Sequence, residues 1–173
     1  TRKTIGGALG AIIVLIVAQI LAQLVASLFV LVKIPEGICN IIAGIIYVGL
    51  AFVLSELFSK RLLKIKIENL GMPKFSIKAK WIIVGVLLPV IVKAVYLFFF
   101  SGKYVSSGMN SNQIFSTLSA GIAFTGIAAG FVEEMVFRGV ILNLLKEKWN
   151  IKVAVLIPSV LFGLVHICLL YTS

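Results

Sequence analysis

Five long apolar runs constrain the fold of this chain more than any other feature of its sequence. They extend over residues 5–32, 38–58, 81–100, 114–145 and 153–171. A helix needs about 20 predominantly apolar residues to cross the hydrocarbon core of a membrane. The chain is 61% hydrophobic and only 13% charged, whereas soluble domains are about half apolar and about one quarter charged. We therefore predict an all-α, polytopic transmembrane helical bundle of about five spans.

The basic residues predict how this bundle is oriented. Lysine and arginine concentrate near the N-terminus, in the loop 59–80 and in the connector 146–152, while the loops 33–37 and 101–113 contain few of them. Because basic loops are retained in the cytoplasm, a cytoplasmic N-terminus satisfies every loop. The net charge of +10 then reflects topology, and we predict no nucleic-acid partner. We expect the 59–80 loop to attract anionic lipid headgroups of the bilayer.

Two adjacent carboxylates and an arginine interrupt the fourth apolar run. Glu133, Glu134 and Arg138 stand out because the chain has six acidic residues in total, and an ionisable side chain inside a membrane span is costly and usually functional. On a helix, Glu134 and Arg138 are four residues apart and share one face. Glu133 is rotated by about 100° from Glu134. It is therefore free to act as a general base that takes a proton from water and returns it to a leaving group.

The only histidine of the chain, His166, lies in the fifth run. Glu133 and His166 are almost equally far from Asn150, in the short connector between runs four and five. If these runs form an antiparallel hairpin, both side chains lie roughly 25 Å from the turn, at the same depth. We expect Gly139 and Gly163 to let the two helices approach closely.

These residues alone leave several interpretations open. Glu134 and Arg138 could form a purely structural pair, and a lone histidine is often a hydrogen-bonded core residue. A proton-coupled transporter could use the two glutamates, His166 and Lys93 as a relay, although we favour Lys93 extending outward to the membrane surface.

Three other polar or sulfur-containing side chains have simpler interpretations. We expect Glu56 to pair with Lys60 or Arg61 near the end of the second run. We expect Cys39 and Cys168 to be small buried thiols, because the sequence contains no CxxC motif and no cluster of cysteines and histidines.

The spacing of the polar residues resembles the CPBP family, the CAAX protease and bacteriocin-processing (Abi) proteins that include the type II CAAX prenyl endopeptidases. The family motif EExxxR is matched by Glu133, Glu134 and Arg138. The second motif, FxxxH, is matched by Phe162 and His166 in the next run. EExxxR alone is a weak pattern, but inside one apolar run and followed by FxxxH in the next it is quite specific.

The resemblance implies an intramembrane endopeptidase of the bacterial plasma membrane, acting on a peptide or membrane-protein substrate. Glu133 and His166 would activate the attacking water, with Glu134 and Arg138 orienting the site. We predict no cofactor and leave metal dependence open, since no HExxH is present and a catalytic zinc is expected to have three protein ligands. The same pocket could instead bind a partner or peptide without catalysis, as in an immunity or regulatory protein.

The resemblance also predicts the domain organisation. Residues 1–113 would supply N-terminal transmembrane helices and the basic cytoplasmic loop, and residues 114–173 a catalytic helical hairpin. Members of the family carry a further histidine or asparagine on a later helix, which would polarise the scissile carbonyl. That motif does not follow His166 here, so we expect that the hairpin is truncated, that its C-terminal segment is replaced, or that this copy is catalytically impaired. Loss of one such donor typically lowers the rate by about a hundredfold to a thousandfold.

Overall fold

A computed structural model of the chain describes residues 2–64, 79–99 and 108–172. Each of the five apolar runs coincides with one helix in these ranges, which contain no β-strand. The helices are α1 (Arg2–Leu31), α2 (Glu36–Phe58, continued by a π-helical segment Ser59–Leu63), α3 (Ala79–Phe99), α4 (Ser111–Lys146) and α5 (Ile151–Thr172).

Three of these helical segments are long and apolar enough to cross a membrane. They are Thr4–Leu31, Glu36–Leu63 and Ser111–Lys146. Shorter apolar stretches, Val90–Phe99 and Ile151–Leu164, lie in α3 and α5. The predicted all-α helical membrane bundle is therefore confirmed, with three spans identified by length and hydropathy within the described residues.

A tight turn joins α1 to α2. Lys33 adopts a left-handed conformation with φ of 62°, and the amide of Ile34 donates a hydrogen bond to Phe29 O at 3.2 Å. Pro35 then precedes α2 with φ of −55° and ψ of 135°, an extended conformation that cannot continue α1. The turn falls within the loop 33–37 that separates the first two apolar runs.

Small side chains form the contact surface between α1 and α2. The buried alanines of α1 recur at intervals of three, four or seven residues, with Leu15 buried within the longest interval, and α2 contributes further alanines to the same core. They are Ala8, Ala11, Ala18, Ala22 and Ala26 on α1, with Ala43 and Ala51 on α2. Since lipid tails are as apolar as the helices, helix association in membranes depends on close backbone packing at such residues.

Helix α2 packs alongside α4 in a parallel orientation. Near the start of both helices, the Asn40 amide donates hydrogen bonds to Ser116 O at 3.1 Å and Ser119 Oγ at 3.2 Å. Further along both, a Cβ at Gly44 would lie 3.3 Å from Ala128 Cβ. In the same region, the buried Tyr47 ring stacks on α4 with its centroid 5.8 Å from that of Phe124.

Helix α4 alternates between α-helical and π-helical hydrogen bonding. It begins with a capping box, in which the side chains of Asn110 and Gln113 each accept the other's backbone amide at 2.9 Å. Its π-helical segments are Ser119–Ala129 and Glu134–Ile141. Such segments are uncommon and frequently occur at functional sites. Glu133 is the last residue of the short α-helical segment between them.

The described residues divide into two compact units. Thr1–Met72 and Asn110–Ser173 form the first, and Pro73–Met109 forms the second. Within the second unit, Lys93 Nζ lies 5.3 Å from the centroid of the Tyr96 ring on the same helix, a distance suited to a cation–π contact.

Two of the simpler side-chain predictions are confirmed. Glu56 pairs with Lys60, one of its two predicted partners, and Cys39 is buried. Other predictions concern parts of the chain outside the described residues: the headgroup-binding loop over 65–78, part of the 101–113 loop, and the side chain of Cys168.

Candidate functional site

Helices α4 and α5 form the predicted antiparallel hairpin. Helix α4 ends at Lys146 and α5 begins at Ile151. The amide of Trp149 closes the turn by donating to Leu145 O at 2.9 Å. Asn150 Oδ1 accepts the amide of Val153 at 3.0 Å, which satisfies one of the free donors at the start of α5.

The hairpin brings Glu133 and His166 together at one level. Glu133 Oε1 on α4 lies 3.9 Å from His166 Nε2 on α5. The two residues are far apart in sequence, so their proximity depends on the antiparallel pairing inferred from the short connector. The predicted match in depth is therefore present in the structure.

A backbone hydrogen bond orients the His166 ring. His166 Nδ1 lies 2.9 Å from Phe162 O, one helical turn earlier. Because a carbonyl oxygen only accepts hydrogen bonds, Nδ1 must carry the proton. In the neutral ring Nε2 is then unprotonated, and its lone pair is on the side of the ring facing Glu133. The spacing of FxxxH thus has a local structural purpose, since residue i supplies the acceptor that selects the tautomer of the histidine at i+4.

Two phenylalanine rings hold α4 and α5 together beside this pair. The rings of Phe137 and Phe162 meet edge to face, with centroids 5.2 Å apart and an interplanar angle of 86°. The Phe162 ring also lies against the His166 ring, at 4.2 Å between centroids. Our sequence interpretation did not assign a role to Phe137. Its position four residues after Glu133, on the same helix face, is the signal that could have identified it.

Glu134 and Arg138 form the predicted ion pair, with Glu134 Oε2 3.1 Å from Arg138 Nη1. These two side chains are 58% and 75% exposed, whereas those of Glu133 and His166 are 27% and 44% exposed. The adjacent glutamates therefore point to different surroundings. Glu134 is neutralised by its own helix, and Glu133 faces α5. The catalytic roles of all four residues remain predictions.

A groove of about 440 Å³ runs between the two helices beside these residues. Helix α4 contributes Glu133, Glu134, Phe137, Arg138 and Leu142, and α5 contributes Val155, Pro158, Ser159 and Phe162. From the level of Glu133 and Phe162 it extends along the hairpin towards the connector. The α5 wall includes Pro158 and Ser159, which our sequence interpretation also did not connect to the site.

The prediction that Gly139 and Gly163 allow a close approach of the helices was wrong. A Cβ placed on either glycine would meet no atom of a neighbouring element within 4 Å. The reason is their position around the helices: Gly139 lies two residues after Phe137, on roughly the opposite side of α4, and Gly163 is rotated by about 100° from Phe162, whereas the rings of Phe137 and Phe162 occupy the faces on which α4 and α5 meet. The close approaches lie elsewhere, for example at Gly44, where α2 meets α4.

Glu133 and His166 are the two groups of the site with metal-ligating chemistry that face each other. The described residues contain no cluster of three or more histidine, cysteine, aspartate or glutamate side chains that could hold a metal ion. A catalytic zinc takes three protein ligands, so these two residues do not by themselves complete such a set.

Comparison with known families agrees with the motifs. Residues 115–172, roughly a third of the chain, match the family described as type II CAAX prenyl endopeptidase Rce1-like. No curated protein and no solved structure matches the chain. The family match confirms the resemblance drawn from EExxxR and FxxxH and supports a CAAX-protease-type function in general. Together with the apolar helices, it indicates an integral membrane protein.

Proposed function

Given this family match, we propose that the protein is an intramembrane endopeptidase of the CAAX prenyl protease and bacteriocin-processing type. In this proposal, Glu133 and His166 activate the water that hydrolyses a peptide bond. The observation that carries it is their convergence: a carboxylate and an oriented imidazole from two helices lie 3.9 Å apart, at the edge of a groove between those helices.

The spacing of the pair suits a shared water molecule. A water oxygen about 2.8 Å from both Glu133 Oε1 and His166 Nε2 would complete a triangle with an angle of roughly 90° at the water. Such a water would donate one hydrogen to the carboxylate and the other to Nε2, which accepts because Nδ1 holds the ring proton. A lone pair of its oxygen would then be free to attack a substrate carbonyl.

The proposed reaction then has two steps. The water oxygen bonds to the carbonyl carbon while Glu133 takes one of its protons, and the carbonyl electron pair moves onto oxygen. The carbonyl re-forms as the C–N bond breaks, and Glu133 returns the proton to the leaving amine. His166 positions the water, because Nε2 accepts a hydrogen bond from the second O–H group of the water. The same hydrogen bond holds the new hydroxyl group in the tetrahedral intermediate. The overall balance is one water consumed for one peptide bond.

Glu134 and Arg138 have a supporting role in this proposal. Their ion pair lies at the exposed edge of the groove, where it keeps a second negative charge away from Glu133. The groove walls supplied by Phe137, Leu142 and Val155 suit an apolar segment of a peptide or membrane-protein substrate. We place the protein in the bacterial plasma membrane, with the groove directed to the cytoplasmic side by the basic connector.

A non-catalytic membrane protein is the alternative. The mainly apolar groove beside the Glu134–Arg138 pair would serve equally well to hold a partner or peptide, as in an immunity or regulatory protein. The two proposals differ in what they require of Glu133. Catalysis needs its carboxylate to accept a proton, whereas a binding groove tolerates an amide of nearly the same shape.

Substitution of Glu133 by glutamine distinguishes the two proposals. Wild-type protein and the Glu133→Gln and His166→Gln variants are reconstituted in liposomes with quenched fluorescent CAAX peptides, one farnesylated and one not. We expect both variants to insert and fold but to lose cleavage by about a thousandfold, within the usual contribution of a general acid or base. Glu56→Gln is the matched control, because it makes the same change at an ion pair outside the groove.

The alternative gives the opposite result. If Glu133→Gln cleaves either peptide as fast as the wild type, the catalytic assignment is incorrect. If the wild type cleaves neither peptide but it and Glu133→Gln bind them equally, the groove acts by binding.

A further inference from the structure

A second cavity, of about 460 Å³, lies away from the candidate active site, where three helices meet. It is lined by the first turns of α1, the π-helical end of α2 and the end of α4. These segments lie at the same end of the three identified spans, Thr4–Leu31, Glu36–Leu63 and Ser111–Lys146. The cavity is therefore at the level where the bundle leaves the hydrocarbon core and meets the lipid headgroups.

The cavity contains cations without protein partners. Lys64 and Lys148 both line it, and neither forms an ion pair with any other residue in the described ranges. Lys64 is also one of two non-glycine residues there with positive φ, at 57°. Lysine rarely adopts this left-handed conformation, because its Cβ then lies close to the following carbonyl oxygen. The conformation ends the π-helical segment of α2 and brings the lysine to the cavity wall.

Thr4 adds a hydroxyl group to this polar surface. It lines the cavity and is only 7% exposed. Because a threonine hydroxyl can both donate and accept a hydrogen bond, Thr4 provides the cavity with a polar group suited to a phosphate oxygen.

The floor of the cavity is apolar. Leu63 and Leu144 approach α1 at Gly7, where an added Cβ would lie 2.9 Å from Leu63 Cδ2 and 3.1 Å from Leu144 Cδ1. The glycine leaves room for these two leucines to reach across from α2 and α4. The cavity is therefore amphipathic, with two lysine side chains beside an apolar surface.

We propose that this cavity binds an anionic glycerophospholipid of the surrounding membrane. The lipid phosphate pairs with Lys64 and Lys148 and accepts a hydrogen bond from the Thr4 hydroxyl. The first carbons of an acyl chain contact Leu63 and Leu144. Basic pockets between transmembrane helices on the cytoplasmic side bind such headgroups.

The one acidic side chain that lines the cavity restricts which lipid headgroups can bind there. Glu147 also lines it and would repel a headgroup carrying further negative charge. It would accept hydrogen bonds from hydroxyl groups on a headgroup with a single phosphate. Phosphatidylglycerol, with one phosphodiester charge and two hydroxyl groups, has this chemistry.

Lipid binding to the full chain in detergent tests the proposal. Native mass spectrometry measures the affinity for phosphatidylglycerol and for phosphatidylcholine. We expect the double variant Lys64→Gln/Lys148→Gln to bind phosphatidylglycerol about thirtyfold more weakly, since each basic residue contributes roughly fivefold to the attraction. The matched control is Lys146→Gln/Lys152→Gln, which removes the same charge from two lysines that do not line the cavity and should weaken binding much less, because solvent screens a charge that does not contact the phosphate.

Two further variants keep the test informative if the double variant does not fold. Arginine at both positions should retain binding, because the charge remains. Thr4→Val, which keeps the side-chain shape, should weaken binding about fivefold by removing one hydrogen bond.

Three results would overturn the proposal. Equal losses in the two glutamine double variants would mean that the basic face attracts lipid diffusely. Equal affinity for phosphatidylcholine would remove the role of the cations in selecting the headgroup. Displacement of phosphatidylglycerol by inorganic phosphate at comparable concentration would make free phosphate the ligand.

Discussion

The Phe162 ring provides a direct test of how the hairpin positions His166. We predict that Phe162→Leu lowers stability modestly but activity strongly. The substitution keeps an apolar side chain and leaves the backbone carbonyl that accepts the proton of His166 Nδ1. It removes the ring that lies 4.2 Å from the histidine and 5.2 Å from Phe137, measured between centroids.

The two expected magnitudes differ because they depend on different interactions. An edge-to-face aromatic pair stabilises by about 0.5–1.5 kcal/mol beyond the area it buries, so the free energy of unfolding should fall by about 1 kcal/mol. Catalysis depends on the separation of Glu133 and His166. A misplacement of about 1 Å can cost about a hundredfold in rate, and the leucine side chain no longer supports the imidazole plane.

Unfolding in mixed micelles and peptide cleavage in liposomes measure the two quantities on the same protein. Phe124→Leu is the matched control, because it removes another aromatic pair, with Tyr47 at 5.8 Å, where α4 meets α2 and not where it meets α5. It should lose similar stability with little change in activity. If Phe162→Leu and Phe124→Leu lower activity equally, or if Phe162→Leu leaves activity intact, the ring does not position the histidine.

Two further predictions concern the packing of α2. Gly44→Leu should destabilise the protein by about 1–3 kcal/mol through overpacking. A Cβ added at this glycine would lie only 3.3 Å from Ala128 Cβ, before the rest of the leucine side chain is placed. Gly49→Leu is the control on the same helix and should leave the free energy of unfolding unchanged, because a Cβ added there meets no neighbouring atom within 4 Å. Equal losses of stability in the two variants, measured by unfolding in micelles, would contradict this packing. Ser59→Ala should leave the free energy of unfolding unchanged or raise it by about 1 kcal/mol, since the buried Ser59 Oγ has no hydrogen-bond partner among the described residues. A marked loss of stability in the same assay would mean that the hydroxyl does have a partner.

Much of the fold was predictable because membrane helices carry a strong local signal. The apolar runs mark helices, and Pro35 marks a break, so α1 and α2 begin and end close to where they were expected. The pairing of Glu134 with Arg138 was predictable too, since helix geometry alone brings residues four apart together. The short connector was enough to predict that Glu133 and His166 lie at the same depth.

What the sequence could not supply was the distance between helices. Helical periodicity determines which face a residue occupies, but the separation of two helices depends on side chains that meet from distant parts of the chain. Glycines at 139 and 163 suggested a close approach, but the faces on which α4 and α5 meet carry the rings of Phe137 and Phe162 instead.

The cavity lined by Thr4, Lys64 and Lys148 could not be predicted from the sequence for the same reason. No local pattern connects these three residues, which lie in three separate segments. By itself, therefore, the sequence determined which residues form helices and turns, and it showed which polar residues interrupt the apolar runs. Only the tertiary structure decided which of those residues face one another and how much space lies between them, because packing between helices is set by the shapes of side chains that are neighbours only after folding.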